Sequence, residues 1–304
     1  MGERVRYDGG HKLDRYLVNT LGEFVEWVPL CPETEIGLPV PRETLRLVGD
    51  PSEPRLVAPK SGSDYTEKMQ AWARERLEEL AEAQLHGFVF KKDSPSSGLY
   101  RVRVYDANGM PQRVGTGIFP REVMRRFPLL PLEEEGRLHD LGLRENFIER
   151  VFTYYRWTCM LGEMPSPGGL VAFHTAHKLT LMAHSPEHYR RMGPLVAQAG
   201  SLPWDELTSE YGTLLMEGLK LLGTPGKHAN VLQHLMGYLK DHLSSDDKAE
   251  LLGLIEEYRT GFVPLIVPLT LLKHHLNRNP VPDWVHQQVY LNPYPKELML
   301  RNHV

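Results

Sequence analysis

The chain has 304 residues, 41% of them hydrophobic and 24% charged, and a formal net charge of -4 at pH 7. This composition excludes a disordered polymer, which is poorer in apolar residues and more lopsided in charge. It also excludes an integral helical membrane protein: the longest apolar stretch, Phe262 to Leu272, is about half of the ~20 residues a span needs, and it holds two prolines.

At roughly 150 residues per domain, the length suggests two domains. The near-neutral charge gives no global pull towards nucleic acid, so any such binding must come from a local patch. Cys31 and Cys159 are the two cysteines. Two cannot form a disulfide framework, and a reducing cytoplasm is expected. Met1 to Asp14 is charged and polar without an apolar core, so it does not read as a signal peptide.

In chain order, His11 to Leu21 reads as a short amphipathic helix ended by Gly22. Phe24 to Leu30 is rich in β-formers and suggests a buried strand that stops at Cys31-Pro32. Ile36 to Pro41 reads as a loop. Asp64 to Gln84 predicts a helix with Ser63 as cap and Trp72, Leu77, Leu80 and Ala81 on one face. Gly87 to Phe90 is a short strand, Lys91 to Gly98 a polar turn, and Leu99 to Tyr105 the next strand. This order predicts a small open α/β sheet, with sites outside the carboxyl ends of its strands.

Pro128 to Arg137, with the run Glu133-Glu134-Glu135, reads as a hinge. Beyond it, apolar residues recur at helical spacing. Helices are predicted near 143–162, 168–183, 186–199, 204–223, 227–243, 246–260, 264–277 and 282–290, with Ser245 to Lys248 as a helix start and a bend at Pro268. The expected fold class is therefore an α/β N-terminal domain over 1–130, followed by an all-α C-terminal domain over 140–304.

Several segments can carry chemistry. Cys31-Pro32-Glu33 sits at an expected strand-to-loop junction. A thiolate there can ligate a metal or act as nucleophile, and Glu33 can move a proton. A buried free cysteine beside a turn proline is the plainer alternative. The hydroxyls of Ser94, Ser96 and Ser97 in Ser94-Pro95-Ser96-Ser97-Gly98 can cradle an anion or position water, or the segment can be an ordinary turn. Gly9-Gly10, followed by Lys12, permits close approach to an anion and equally permits a plain turn. His174 and His177 share a helix face, but no His-Glu-x-x-His pattern accompanies them. Histidines satisfied in polar networks are the expectation there. A basic RNA surface is a further reading, although 165–304 carries 12 Lys/Arg against 13 Asp/Glu.

Longer motifs carry a family resemblance. "VRYDGGHK" at 5–12, "CPETEIGLPVPRETLRLV" at 31–48 and "KKDSPSSGLYRVRVY" at 91–105 resemble the thiouracil desulfidase (TudS) domain. "FHTAHKLTLMAHSPEHYR" at 173–190, "NVLQHLMGYLK" at 230–240, "VPLIVPLTLLKHH" at 263–275 and "PKELMLRNHV" at 295–304 resemble the YbgA-like helical domain. Their fusion is similar to the RudS family of tRNA thiouridine desulfidases.

The resemblance implies a 4Fe–4S cluster on three cysteines, with the fourth iron taking the substrate's sulfur. It implies Cys31 as cluster ligand, Glu33 as proton-transfer group, and Ser94 or Ser96 as the nearby hydroxyl. It implies tRNA as partner, through the helical domain, and 4-thiouridine as substrate. Ser97 stands where the family places a second ligand cysteine, and hydroxyl is a poor replacement for thiolate at iron. The third family cysteine precedes the "VRYDGG" motif, so the resemblance implies a start upstream of Met1. A catalytically degenerate relative that binds tRNA without desulfurating it is the alternative function.

Overall fold

In the computed structural model, which describes residues 1–304, the chain divides into Met1–His139 and Asp140–Val304. The N-terminal unit is built on short strands whose apolar residues alternate. Strands β1 (Arg46–Val48) and β2 (Arg55–Val57) pair antiparallel. β1 also pairs parallel with β4 (Val102–Tyr105), and β4 pairs antiparallel with β5 (Pro111–Gly115), giving the order β2-β1-β4-β5. Leu47, Leu56, Val102 and Val104 point to one buried face, as period-2 alternation requires.

Helix α2 (Thr66–Glu82) buries Met69, Ala73, Leu77 and Leu80, one stripe at helical spacing. Helix α3 (Ile118–Arg126) packs against it and buries Phe119 and Val123. A four-residue helix, α1 (Pro32–Glu35), follows Cys31. A separate two-stranded parallel ribbon joins β3 (Phe88–Phe90) to β6 (Leu132–Glu134).

Four expectations change here. Phe24 to Leu30 is not a strand: it pairs with nothing, none of its residues is buried, and Pro29 lacks the donor that a ladder needs. His11 to Leu21 is helical only from its middle, as a π-turn over Tyr16–Thr20 followed by a 3-10 turn over Leu21–Glu23. Ser63 does not cap α2; Asp64 Oδ1 instead accepts from Thr66 N at 2.9 Å. Pro128 to Arg137 is no hinge, because its acidic run lies in and beside β6 and is buried.

The C-terminal unit is nearly all helical: α4 (Leu141–Glu163), α5 (Pro167–His184), α6 (Pro186–Ala197), α7 (Trp204–Lys220), α8 (Pro225–Met236), α9 (Ser245–Arg259), α10 (Ile266–Arg278) and α11 (Asp283–His286). Side-chain caps fix many starts. Asp140, Ser166, Ser185 and Thr224 each accept from a first-turn amide, and Ser244 with Asp247 closes a capping box. Leu179, Leu232, Leu235, Leu251, Leu269 and Leu272 fill the core. Pro268 sits in the first turn of α10, where its missing N–H costs nothing, so the expected bend is absent. The expected helix at 282–290 shortens to α11 and a 3-10 turn at Val289–Leu291. No helix is long and apolar enough to cross a membrane.

Candidate active site

Glu33 lies in the first turn of α1, directly after Cys31 and Pro32. The turn is tied to Cys31 on both sides: Cys31 N donates to Glu35 Oε1 at 3.1 Å, and Thr34 Oγ1 donates to Cys31 O at 3.1 Å. Glu33 is held from two directions. Arg42 Nε donates to Glu33 Oε2 at 2.7 Å, and Arg42 Nη2 stands 2.6 Å from the same oxygen. Ser96 Oγ donates to Glu33 Oε1 at 2.6 Å. Ser94 Oγ lies 3.0 Å from Ser96 Oγ. The result is a continuous hydrogen-bonded line, Ser94–Ser96–Glu33–Arg42.

Arg42 is itself fixed. Its side chain is 5% exposed, and Nη2 donates to Val5 O at 2.9 Å while its own amide donates to Tyr7 O at 2.8 Å. The "VRYDGG" segment is thereby fastened beside α1. Gly9 and Gly10 form a turn in which Asp8 Oδ1 accepts from Gly10 N at 3.0 Å. Asp8 also pairs with Arg6, and both hydrogen bonds hold its carboxyl below its ordinary range.

The serine loop leaves β3 and enters β4 through a tight turn in which Gly98 N donates to Ser94 O at 2.6 Å. A Cβ on Gly98 would lie 2.5 Å from Val102 Cγ2, so only glycine fits. The strand expected from Leu99 begins only at Val102, because Leu99 N and Tyr100 N donate to Glu134 Oε1 at 2.9 and 3.0 Å and Arg101 has φ 53°. From α3, Phe119 N donates to Ser96 O at 3.0 Å, and just before it Gly117 N donates to Gly98 O at 2.8 Å.

The structure therefore brings Glu33, Ser94 and Ser96 together. Ser97 donates its amide to Ser94 Oγ at 3.2 Å. Sequence reasoning gave no role to Arg42 or Glu134. Arg42 carries no local signal, since its partners lie 9 and 37 residues away.

The expected metal set does not assemble. Cys31 is a half-buried free thiol in this unit, Cys159 lies in the other unit, and no three His, Cys, Asp or Glu side chains gather as a metal group. One thiolate and a serine hydroxyl do not make the soft three-sulfur donor set that a 4Fe–4S cluster needs. These residues by themselves do not fit the cluster.

The C-terminal unit holds a second polar cluster, fully buried. His184 Nε2 meets Glu149 Oε2 at 2.8 Å, Tyr294 Oη donates to Glu145 Oε1 at 2.7 Å, and His228 Nδ1 meets Tyr290 Oη at 3.0 Å. Arg301 stands 4.0 Å from Glu149 Oε1. Burial and the Glu149 charge push Glu145 up to about 7. Burial would raise Glu149 too, but the charges of His184 and Arg301 bring it down to about 2. Burial pushes His177 and His228 down to about 3 and His174 down to about 4. These are structural, neutral histidines, not a ligand set.

Comparisons agree with this division. The family model described as "2-thiouracil desulfurase" matches residues 1–135. The model described as "Protein of unknown function (DUF1722)" matches residues 178–295. The "Uncharacterized protein YbgA" of Escherichia coli (strain K12) is 35% identical over 138 residues, which is 44% of this chain and 80% of that protein. A solved "[4Fe-4S]-dependent thiouracil desulfidase TudS" is 28% identical, with a TM-score of 0.38, over 47% of this chain and 91% of that one. The class is thus a fusion of a small α/β domain of thiouracil-desulfurase type with a helical bundle. The chain belongs to the YbgA family, carrying at its N-terminus a TudS-like domain.

Proposed function

We propose that the N-terminal unit replaces the thiocarbonyl sulfur of a thiolated uracil by oxygen, and that its substrate is a thiouridine of tRNA, 4-thiouridine first. The observation that carries this reading is the Ser94–Ser96–Glu33–Arg42 line, placed inside the region matched by the desulfurase family model. Such hydrolysis adds water oxygen to the ring carbon and expels the sulfur as sulfide. It needs a base for the water proton and an acid for the departing sulfur. Glu33 accepts the proton through Ser96, in hydrogen-bond reach at 2.6 Å, and returns it to the sulfur. Arg42 fixes the second oxygen of Glu33, so the carboxylate does not rotate away. Ser94 extends the relay outward. When bound, an iron–sulfur cluster would supply a soft Lewis acid for the thiocarbonyl; the residues present do not make its ligand set.

Binding of tRNA rests on the helical unit. Lys178 Nζ lies 3.5 Å over the Trp284 ring, and Tyr238 meets the same indole at 5.0 Å. Both rings are partly buried against the core, so what supports this reading is their exposed edges beside a cation, where an unpaired base would find an aromatic and a charged contact.

The test is incubation with 2-thiouracil, 4-thiouracil and thiolated tRNA, following loss of the thiocarbonyl absorbance and release of sulfide. Turnover of at least one is expected; no turnover of any sinks the reading. A second reading is a binder of RNA without turnover, and the single cysteine of the unit favours it. It is separated by a tRNA titration at two salt concentrations, where binding with a salt slope but no sulfide release supports it.

A further inference from the structure

The run Glu133-Glu134-Glu135 is buried, at 3%, 2% and 7% exposure, in and beside the two-stranded parallel ribbon. Parallel strands buried on both faces are ordinarily apolar runs. Burying three consecutive carboxylates is costly unless each is fully partnered. Leucine or valine would fill these positions more cheaply, and a buried ion pair is weak evidence for stability.

The partners reveal a pattern. Glu135 Oε2 accepts from Lys92 N at 2.7 Å, and its other oxygen pairs with Lys91 Nζ, at the chain's entry into the serine loop. Glu134 Oε1 accepts from Leu99 N and Tyr100 N at 2.9 and 3.0 Å, at the exit. Glu133 pairs with Arg137 at 2.8 Å, and the Arg137 guanidinium lies 4.9 Å from the Tyr100 ring centroid. Glu133 and Glu134 lie in β6 and Glu135 directly follows it, its amide donating to Phe90 O at 3.0 Å, so that Glu134 and Glu135 reach the two ends of one loop.

We infer that Glu134 and Glu135 are positioning residues for the proposed reaction, forming a two-point clamp that sets the Ser94–Gly98 loop so that Ser96 meets Glu33. The inference rests on the desulfidase reading and adds to it: the acidic strand never touches substrate, yet decides where the relay hydroxyl stands. The amide of buried Leu99, at the exit of the loop, would otherwise lie without an acceptor. Rigid acceptors on a strand hold a loop more tightly than water does, because they lose no freedom when the loop docks.

Glu134→Ala removes the acceptor from Leu99 N and Tyr100 N, whereas Glu134→Gln keeps a side-chain oxygen in the same place. With 2-thiouracil as first probe, Glu134→Ala should lower kcat about 100-fold, the scale of a misplaced reacting group, and change KM far less. Glu134→Gln should recover most of that loss. Native-state hydrogen exchange gives a readout independent of turnover. The Leu99 and Tyr100 amides should exchange at least about tenfold faster in Glu134→Ala than in Glu134→Gln, while the Val104 amide stays protected. Equal kcat loss in both variants, or unchanged exchange at Leu99 and Tyr100 in Glu134→Ala, overturns the clamp. Absent turnover by the unaltered protein sinks the desulfidase reading and the catalytic role of the clamp with it. The exchange experiment still decides whether the carboxylate holds the loop.

Discussion

Ser96 donates its hydroxyl to Glu33 Oε1 at 2.6 Å across 63 residues of sequence. The two belong to segments with no local relation, a helical turn after Cys31 and a loop after β3. Their contact is made by the sheet and by the ribbon that sets the loop's height.

Glu33→Gln removes the proton acceptor while keeping size and hydrogen-bonding oxygen. Turnover of thiolated uracil should fall about 100- to 10,000-fold, the range of a lost general base. Ser96→Ala should fall less, because a water can take the hydroxyl's place. Sulfide release measures both, and wild-type rates in Glu33→Gln would remove Glu33 from the mechanism.

Arg42→Ala leaves the Glu33 carboxylate without its fork and Val5 O without its donor. With side chains only 5% and 14% exposed, breaking this pair should cost about 3 kcal/mol, as for other buried pairs. Arg42→Lys keeps the charge but not the fork, and should fall between. Urea denaturation reads the order wild type, Lys, Ala; an Ala variant as stable as wild type would show that the pair is structurally idle.

Glycine at 117 is required by approach. A Cβ there would lie 2.8 Å from Ser96 O and 3.0 Å from Ser97 N, both backbone atoms. Gly117→Ala should destabilise by about 1–3 kcal/mol and disturb the serine loop. Gly162→Ala, inside α4 with open space around it, should instead stabilise by about 0.5–1 kcal/mol. Thermal melts of the two variants should move in opposite directions.

Acid should weaken the helical unit before it weakens its carboxylates. His174, His177 and His228 stay neutral in the fold down to about 4 or below, yet protonate near 6.5 once unfolded. Each therefore removes up to ~1.4 kcal/mol of stability per pH unit as pH falls below its unfolded value. Glu145 acts oppositely: protonated in the fold up to about 7, it ionises near 4.5 when unfolded, so folding holds one extra proton between those values. His184, raised by Glu149 against the effect of burial, is protonated in both states below 6.5. Three protons taken up on unfolding less one released leaves about two between pH 5 and 6. Urea midpoints should fall over that interval, and a rise would overturn the assignment of buried neutral histidines.

The division into an α/β part and a helical part is legible in the amino-acid pattern alone. Helical periodicity with proline and serine punctuation placed α4 to α10 closely, because capping and amphipathicity are local. The motifs around Cys31 and Ser94–Gly98 also pointed to Glu33, Ser94 and Ser96, which the fold brings within hydrogen-bonding reach of one another. The remaining features depend on contacts between segments distant in the chain. Whether Phe24 to Leu30 was a strand depended on a partner it does not have. Whether Glu133-Glu134-Glu135 was a hinge or a buried clamp depended on loop amides more than thirty residues earlier. Arg42 became part of the site through Val5 and Glu33, neither of which marks it in sequence. Local propensity is written in neighbouring residues, whereas the partner of a buried charge is chosen by the fold.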